Sequence, residues 1–377
     1  MNPIALDIET LGPDGKSSFR WWKPGFRIQS LALSWRNGFD IESWFSMDPE
    51  TIDAAIKRLA ATGRPLIVHN LAFEKGVFET LYPGLQFNWF ADTMRLGQLH
   101  DNGGDWRDQI FLEDVLDEDA SPDLGLSLEA VASRVLQRDL HHHKDERDEY
   151  LRSLGIRSRF GGFIHCLPAD ILERYNIADT RTTLEVYETL APILDGVWQK
   201  DWPLYHNRTR LMNAAYRRGV KIDIDALERY VYEIDRDVDK IEAEFKAFHA
   251  ENIKKWAEMT GESEFSFNVG SNKQLKELFC DVLGMSAKHL TETGEKRVKE
   301  KEITFEDAAK QYPSFKSKHL STWGPSGEIL IKRRKRLLVL SQALSTLWMA
   351  KDGGGRCHPE QKTAGTRTNR VAGGMNE

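Results

Sequence analysis

The chain is short of cysteine, of long apolar runs and of excess charge of one sign, and each shortage closes off a class of protein. Its three cysteines, Cys166, Cys280 and Cys357, are an odd and widely scattered set in 377 residues. They make neither a disulfide framework nor a zinc-ligand spacing, and they suit a reducing compartment. No apolar run is long enough to span a bilayer, and no signal peptide opens the sequence. The formal net charge of −6 gives no global signature of nucleic-acid binding, so a surface for nucleic acid must be local. With 40% apolar residues a sizeable core is available, and the length suggests about two or three domains. The expectation is a soluble, globular, cytoplasmic protein.

The stretch Ile4-Ala5-Leu6-Asp7-Ile8-Glu9-Thr10, ended by Leu11-Gly12-Pro13, has the composition of a short strand. On a strand, positions i and i+2 share a face, so Asp7 and Glu9 stand side by side on an otherwise buried element. Two adjacent buried carboxylates repel unless something positive lies between them. A divalent ion is the simplest remedy, and hard oxygen ligands favour magnesium or manganese. The alternative is that one carboxylate is merely exposed at the strand end.

Further along, segments at 27–35 and 38–45 alternate as in an antiparallel meander, and 49–61 has helical spacing. A short apolar strand at 65–69 precedes a helix over 71–81, with Asn70 expected as its N-cap and Glu74 one turn in. A strand at 89–92 feeds a helix at 93–99. Strands alternating with helices predict an α/β layer structure. Residues 100–124 look like a surface insertion, and 126–136 is helical. The run His141-His142-His143 is expected to be a solvated surface, because three consecutive residues cannot all face one ion from a helix. A helical pattern spans 168–187, and within it Tyr175 and Asp179 lie one turn apart on one face.

Together these stretches resemble the proofreading exonuclease of family A, polymerase I-like DNA polymerases, the DEDD type with tyrosine in its third motif. That family shows a D-x-E strand, an N-x-x-[FY]-[DE] stretch and a late helix with Y-x-x-x-D. Here they are Asp7-Ile8-Glu9, then Asn70-Leu71-Ala72-Phe73-Glu74, then Tyr175-Asn176-Ile177-Ala178-Asp179. Order and approximate spacing match over about the first 190 residues. The departure is Glu74, where aspartate is usual. The resemblance implies a ribonuclease H-like mixed sheet flanked by helices over 1–195, and two-metal phosphodiester hydrolysis. Asp7, Glu9 and Asp179 would hold one Mg²⁺ or Mn²⁺, and Asp7 with Glu74 a second, roughly 3.5–4 Å away. Tyr175 would orient the attacking water, with Asn70 and Phe73 contacting DNA.

In the second half, 202–218 is helical up to Gly219, and a long amphipathic helix is expected over 226–260 with Asp225 as its cap. Gly219 to Leu227 resembles the G-[IV]-x-[IV]-D-x-x-x-L stretch that opens the polymerase region, and Phe267 to Leu275 its F-N-x-x-S-x-K-Q-L element, which puts Asn272 and Lys273 toward DNA. Lys332-Arg333-Arg334-Lys335-Arg336 begins a helix to Met349 where the family's thumb meets the duplex, so phosphate contacts are expected. Asp352 to Pro359 resembles D-G-R-x-H-P. Gly365 to Arg370 resembles G-T-x-T-G-R, which adds Arg370 to the DNA contacts.

The resemblance therefore implies a mainly α-helical, thumb-like region over 196–377, with palm and fingers absent and no polymerisation by this chain alone. The expected partners are DNA, as a single-stranded 3′ end and as a primer–template duplex, and a chain carrying palm and fingers. The enzyme would be a split or truncated polymerase of bacteriophage type, in the host cytoplasm. The rival expectations are a free-standing RNA exonuclease and a catalytically silent DNA-binding or scaffolding subunit.

Overall fold

A computed structural model of the chain describes residues 2–102, 125–137, 142–158, 160–362 and 372–374. The insertion expected at 100–124 lies almost wholly outside them, as do His141, the side chains of His142 and His143, and the stretch that ends in Arg370.

The first compact unit is built on a five-stranded mixed sheet of order β3-β2-β1-β4-β5. Its strands are β1 (Ile4–Leu11), β2 (Arg27–Asn37), β3 (Asp40–Ser46), β4 (Leu66–Val68) and β5 (Trp89–Asp92). β1 pairs antiparallel with β2 and parallel with β4, so it lies in the middle of the sheet. Alternation along β1 divides its side chains between two cores. Ile4, Leu6 and Ile8 pack against α1 (Pro49–Thr62) and α2 (Leu71–Leu81). Ala5 packs on the opposite face, in a core that includes Leu184, Val186 and Leu190 of α6 (Ala169–Ile193). A strand covered on both faces needs apolar residues at nearly every position, and the near-continuous apolar run in β1 meets that need.

Helices α3 (Thr93–Asn102) and α4 (Leu128–Leu136) join the core on the α6 face through Leu96, Val131 and Ala132. Helix α5 (His142–Ser153) was not expected from the sequence. It carries few apolar residues and seats itself through Leu151 in a small cluster with Ile164, Leu167, Leu172 and Tyr175.

The first unit continues to Val220, beyond the junction expected at 195, because α7 (Trp198–Arg218) packs into it. Tyr205 is buried and donates to Asp92, Asn213 donates to the carbonyl of Ala72, and Arg95 grips Asp201 with a bidentate pair at 2.7 and 2.5 Å.

The second unit, Lys221–Cys357, is helical. α8 (Ile224–Phe248) runs antiparallel to the 29-residue α13 (Gly324–Asp352), bridged by Arg333–Glu242 and Lys351–Glu228 pairs. The expected helix over 226–260 is broken at His249, whose φ of −111° and ψ of 17° leave the helical region before α9 (Ala250–Thr260) begins. His249 is buried there, with its Nε2 2.8 Å from the Ser326 hydroxyl. The cap of α8 is Asp223, not Asp225: its Oδ1 accepts from the backbone N–H of Ala226. Between the long helices lie α10 (Asn272–Lys276), α11 (Glu292–Lys299) and α12 (Phe305–Gln311), around an aromatic core of Phe245, Trp256, Phe267, Phe279, Phe315 and Trp323.

Candidate active site

The face of β1 opposite Ile4, Leu6 and Ile8 carries Asp7 and Glu9, and α6 crosses over it. Asn176 of α6 is fully buried and donates from Nδ2 to Asp7 Oδ2 at 2.6 Å. Its own Oδ1 accepts from Ser30 on β2 at 2.8 Å. One turn on, Thr180 meets the Ser34 hydroxyl at 2.7 Å. These contacts fix α6 in register with the sheet, which brings Tyr175 and Asp179 beside the β1 carboxylates.

Glu74 arrives from the first turn of α2, where the helix dipole favours a carboxylate. The sequence assigned the cap of α2 to Asn70, but Asn70 makes no side-chain cap. It sits in the left-handed region at φ 84°, and the cap comes from Asp92 at the end of β5. Asp92 accepts from the backbone N–H groups of Asn70, Leu71 and Met94 and from the Tyr205 hydroxyl. One buried carboxylate thus joins β5, α2, α3 and α7.

The electrostatics of the cluster are those of acids without enough positive charge. Burial, then the neighbouring Asp179, pushes the Asp7 carboxyl up to about 8, against the hydrogen bond from Asn176. Glu9 is raised by burial and then by Asp7 and Asp179. Glu74 is raised by burial and by Asp7, and its buried Oε2 has no hydrogen-bond partner among the described residues. Burial raises Asp179, opposed by Lys144, a hydrogen bond from Tyr175, and Arg147. The buried Tyr175 phenol is held well above its ordinary value by desolvation and by the same carboxylates. Asp7, Glu9, Tyr175 and Asp179 therefore lie within one another's field, and Glu74 lies within that of Asp7 and Glu9.

The chemistry of this set fits a hard divalent ion, because the donors are carboxylate oxygens and one of them is orphaned. The positions of the side chains do not yet make a ligand sphere. Among the described residues no group of three or more His, Cys, Asp or Glu side chains converges to hold an ion. Asp7 is turned to Asn176, and Asp179 to Tyr175.

Four contributors lay outside the sequence expectation. Asn176 stands inside the third motif, and its signal is a polar residue in an apolar helical pattern. Asp92 carried the signal of an acid immediately before a helix start. Lys144 and Arg147 lie on α5, an element whose polar sequence gave no signal.

The residues expected to contact DNA are dispersed. Phe73, one residue before Glu74, packs edge-on against the exposed Phe19 with ring centroids 5.5 Å apart. The Phe267 to Leu275 stretch is occupied largely by its own capping: Asn268 accepts from Gly270 N–H, Gln274 Oε1 accepts from Asn268 N–H, and Ser271 caps α10. Lys273 projects outward, with its side chain 80% exposed. In the basic run, Arg333 is paired with Glu242, Arg336 lies 3.6 Å from Asp237, and Arg334 reaches Ser317, while Lys332 and Lys335 are exposed.

No protein-family profile and no curated protein matches the chain. Among solved structures it is similar to the POL domain of Pol1 from M. smegmatis, solved in complex with DNA primer-template and dNTP, at 15% identity and a TM-score of 0.52. The likeness covers 98% of this chain and 50% of that one, so the chain spans half the length of its neighbour. At this identity the likeness is one of fold, and the fold is polymerase I-like. No helix among the described residues is long and apolar enough to cross a membrane.

Proposed function

We propose that this chain is a metal-dependent 3′–5′ exonuclease that removes nucleotides from DNA 3′ ends, joined to a thumb-like helical unit. The observation that carries this reading is that Asp7, Glu9, Asp179 and Tyr175 act on one another electrostatically, with Glu74 within reach of Asp7 and Glu9, from a central strand and two separate helices. The strand order, with an antiparallel β1-β2-β3 meander on one side of β1 and the parallel strands β4 and β5 on the other, supports a ribonuclease H-like sheet. The polymerase neighbour bound to primer-template supports DNA as the polymer.

Asp7, Glu9 and Asp179 would hold one Mg²⁺ or Mn²⁺, and Asp7 with Glu74 a second. Bound there, the ions supply an activated water and charge neutralisation at the scissile phosphate. The chain itself supplies the rest. Asn176 holds Asp7, the raised carboxyls mark where positive charge stabilises most, and the Tyr175 hydroxyl would orient a water without ionising. Lys332, Lys335, Arg336 and Lys273 give the second unit its sequence-independent phosphate contacts.

The test is degradation of 3′-labelled against 5′-labelled single strands with Mn²⁺, beside the Asp7→Ala, Asp179→Ala double variant. Metal-dependent loss from the 3′ end that vanishes in the double variant supports the reading. Inactivity of the wild type with both metals overturns it. The second reading, a catalytically silent DNA-binding subunit, has two observations in its favour: the unconverged carboxylates, and Glu74 in place of the usual aspartate. It predicts DNA binding with no Mg²⁺-induced rise in melting temperature.

A further inference from the structure

Helix α5 has no part in the reading above, yet it covers the residue on which that reading depends. Two consecutive residues of α5 meet two consecutive residues of α6. Glu146 grips Arg174 with a bidentate pair, Oε1 to Nη2 at 2.6 Å and Oε2 to Nε at 3.0 Å. The next residue, Arg147, lays its guanidinium over the Tyr175 ring, with Cζ 5.0 Å from the centroid. Arg147 is only 7% exposed, which is unusual for an arginine. Its fork is closed by Asp148, with Nε 2.8 Å and Nη2 2.6 Å from Oδ1.

A buried cation needs compensation, and here the groups in direct contact with it are one carboxylate and one aromatic face. The Tyr175 hydroxyl donates to Asp179, and around the rest of the ring the packing is apolar: Leu151, Ile164, Leu167 and Leu172. Such contacts determine where the ring lies but give no directional hold, whereas a cation above the ring face does. We infer that Arg147 is a positioning residue that clamps the Tyr175 ring and so fixes its hydroxyl among the carboxylates of Asp7, Glu9 and Asp179. Asp148 orients the clamp, and the Glu146–Arg174 pair sets the register between the two helices.

The inference rests on the exonuclease reading, in which Tyr175 orients the attacking water. The experiment measures single-turnover cleavage by the full chain at saturating Mn²⁺ for Arg147→Met and Arg147→Lys, each in wild-type and Tyr175→Phe backgrounds. Arg147→Met is expected to lower kcat by about tenfold with KM unchanged, since a small misplacement of an orienting group acts on the rate and not on binding. Arg147→Lys keeps the cation and recovers part of the loss. In the Tyr175→Phe background Arg147→Met is expected to cost less than about twofold, because the hydroxyl it positions is gone. Equal losses in both backgrounds, or full activity in Arg147→Met, overturn the inference.

A second measurement does not depend on activity. With 3-fluorotyrosine in the chain, the ¹⁹F signal that disappears in Tyr175→Phe reports this ring alone. It is expected to shift in Arg147→Met and to keep its position in Arg147→Lys. An unmoved signal in Arg147→Met overturns the clamp. A wild type inactive with both metals overturns the exonuclease reading while this signal still decides the contact.

Discussion

Asp7 is the residue on which the charge balance of the site turns. Its carboxyl titrates near 8 in the folded chain and near the ordinary aspartate value of about 3.9 in the unfolded one. Between those values the folded chain keeps a proton that the unfolded chain releases. The stability this contributes is complete below about pH 4 and is lost as the pH rises through about 8. Glu9, Glu74 and Asp179 are raised as well and act in the same direction. Thermal unfolding in the presence of a chelator is therefore expected to show a melting temperature that falls from pH 5 to pH 8.5. Asp7→Asn, which has no proton to lose at that position, flattens the fall. Asn176 is the uncharged counterpart: Asn176→Ala strands the Ser30 hydroxyl and frees Asp7, at about 1–3 kcal/mol of stability in urea unfolding.

At the scale of elements, the site depends on how α2 and α6 are seated. Asp92→Ala removes the acceptor shared by three backbone N–H groups and Tyr205, and leaves them buried. A loss of about 3 kcal/mol or more is expected, read as a lower urea midpoint. α2 also carries a close approach that only glycine permits. A Cβ on Gly76 would stand 2.6 Å from Cε2 and Cζ2 of the buried Trp21. Gly76→Ala, ordinarily favourable in a helix, is expected to destabilise by about 1–3 kcal/mol through overpacking. Partial rescue by Trp21→Phe would identify the ring as the cause.

For the whole molecule, the basic run on α13 divides into two uses. Lys332 and Lys335 are exposed, whereas Arg333 is tied to Glu242 on α8. Lys332→Ala with Lys335→Ala is expected to weaken duplex binding for every sequence alike, and to lower the slope of log K against log salt by about one per lysine. Arg333→Ala is expected to lower the stability of the second unit and to leave that slope nearly unchanged. Titrations of a labelled primer–template duplex between low and moderate salt separate the two.

Much of this was legible in the sequence because local chemistry dictates it. An apolar run interrupted by carboxylates at i and i+2 is a strand with an acidic face whatever surrounds it, and Tyr175 and Asp179 one turn apart share a helix face by geometry alone. The period of apolar residues likewise placed β1 to β5 and most of the long helices. What only the tertiary structure decided depends on partners distant in sequence. The cap of α2 comes from Asp92, some twenty residues on, because two parallel strands end side by side. α7 joins the first unit because Tyr205 and Asn213 find buried partners there. α5 forms although its sequence is polar, because its charges pair with α6, Glu146 with Arg174, and with α4, Lys144 with Glu129, in place of burying an apolar stripe. The compensation of the acid cluster by Arg147 and Lys144 has the same origin: a charge has no period, and its partner is decided by where the chain returns.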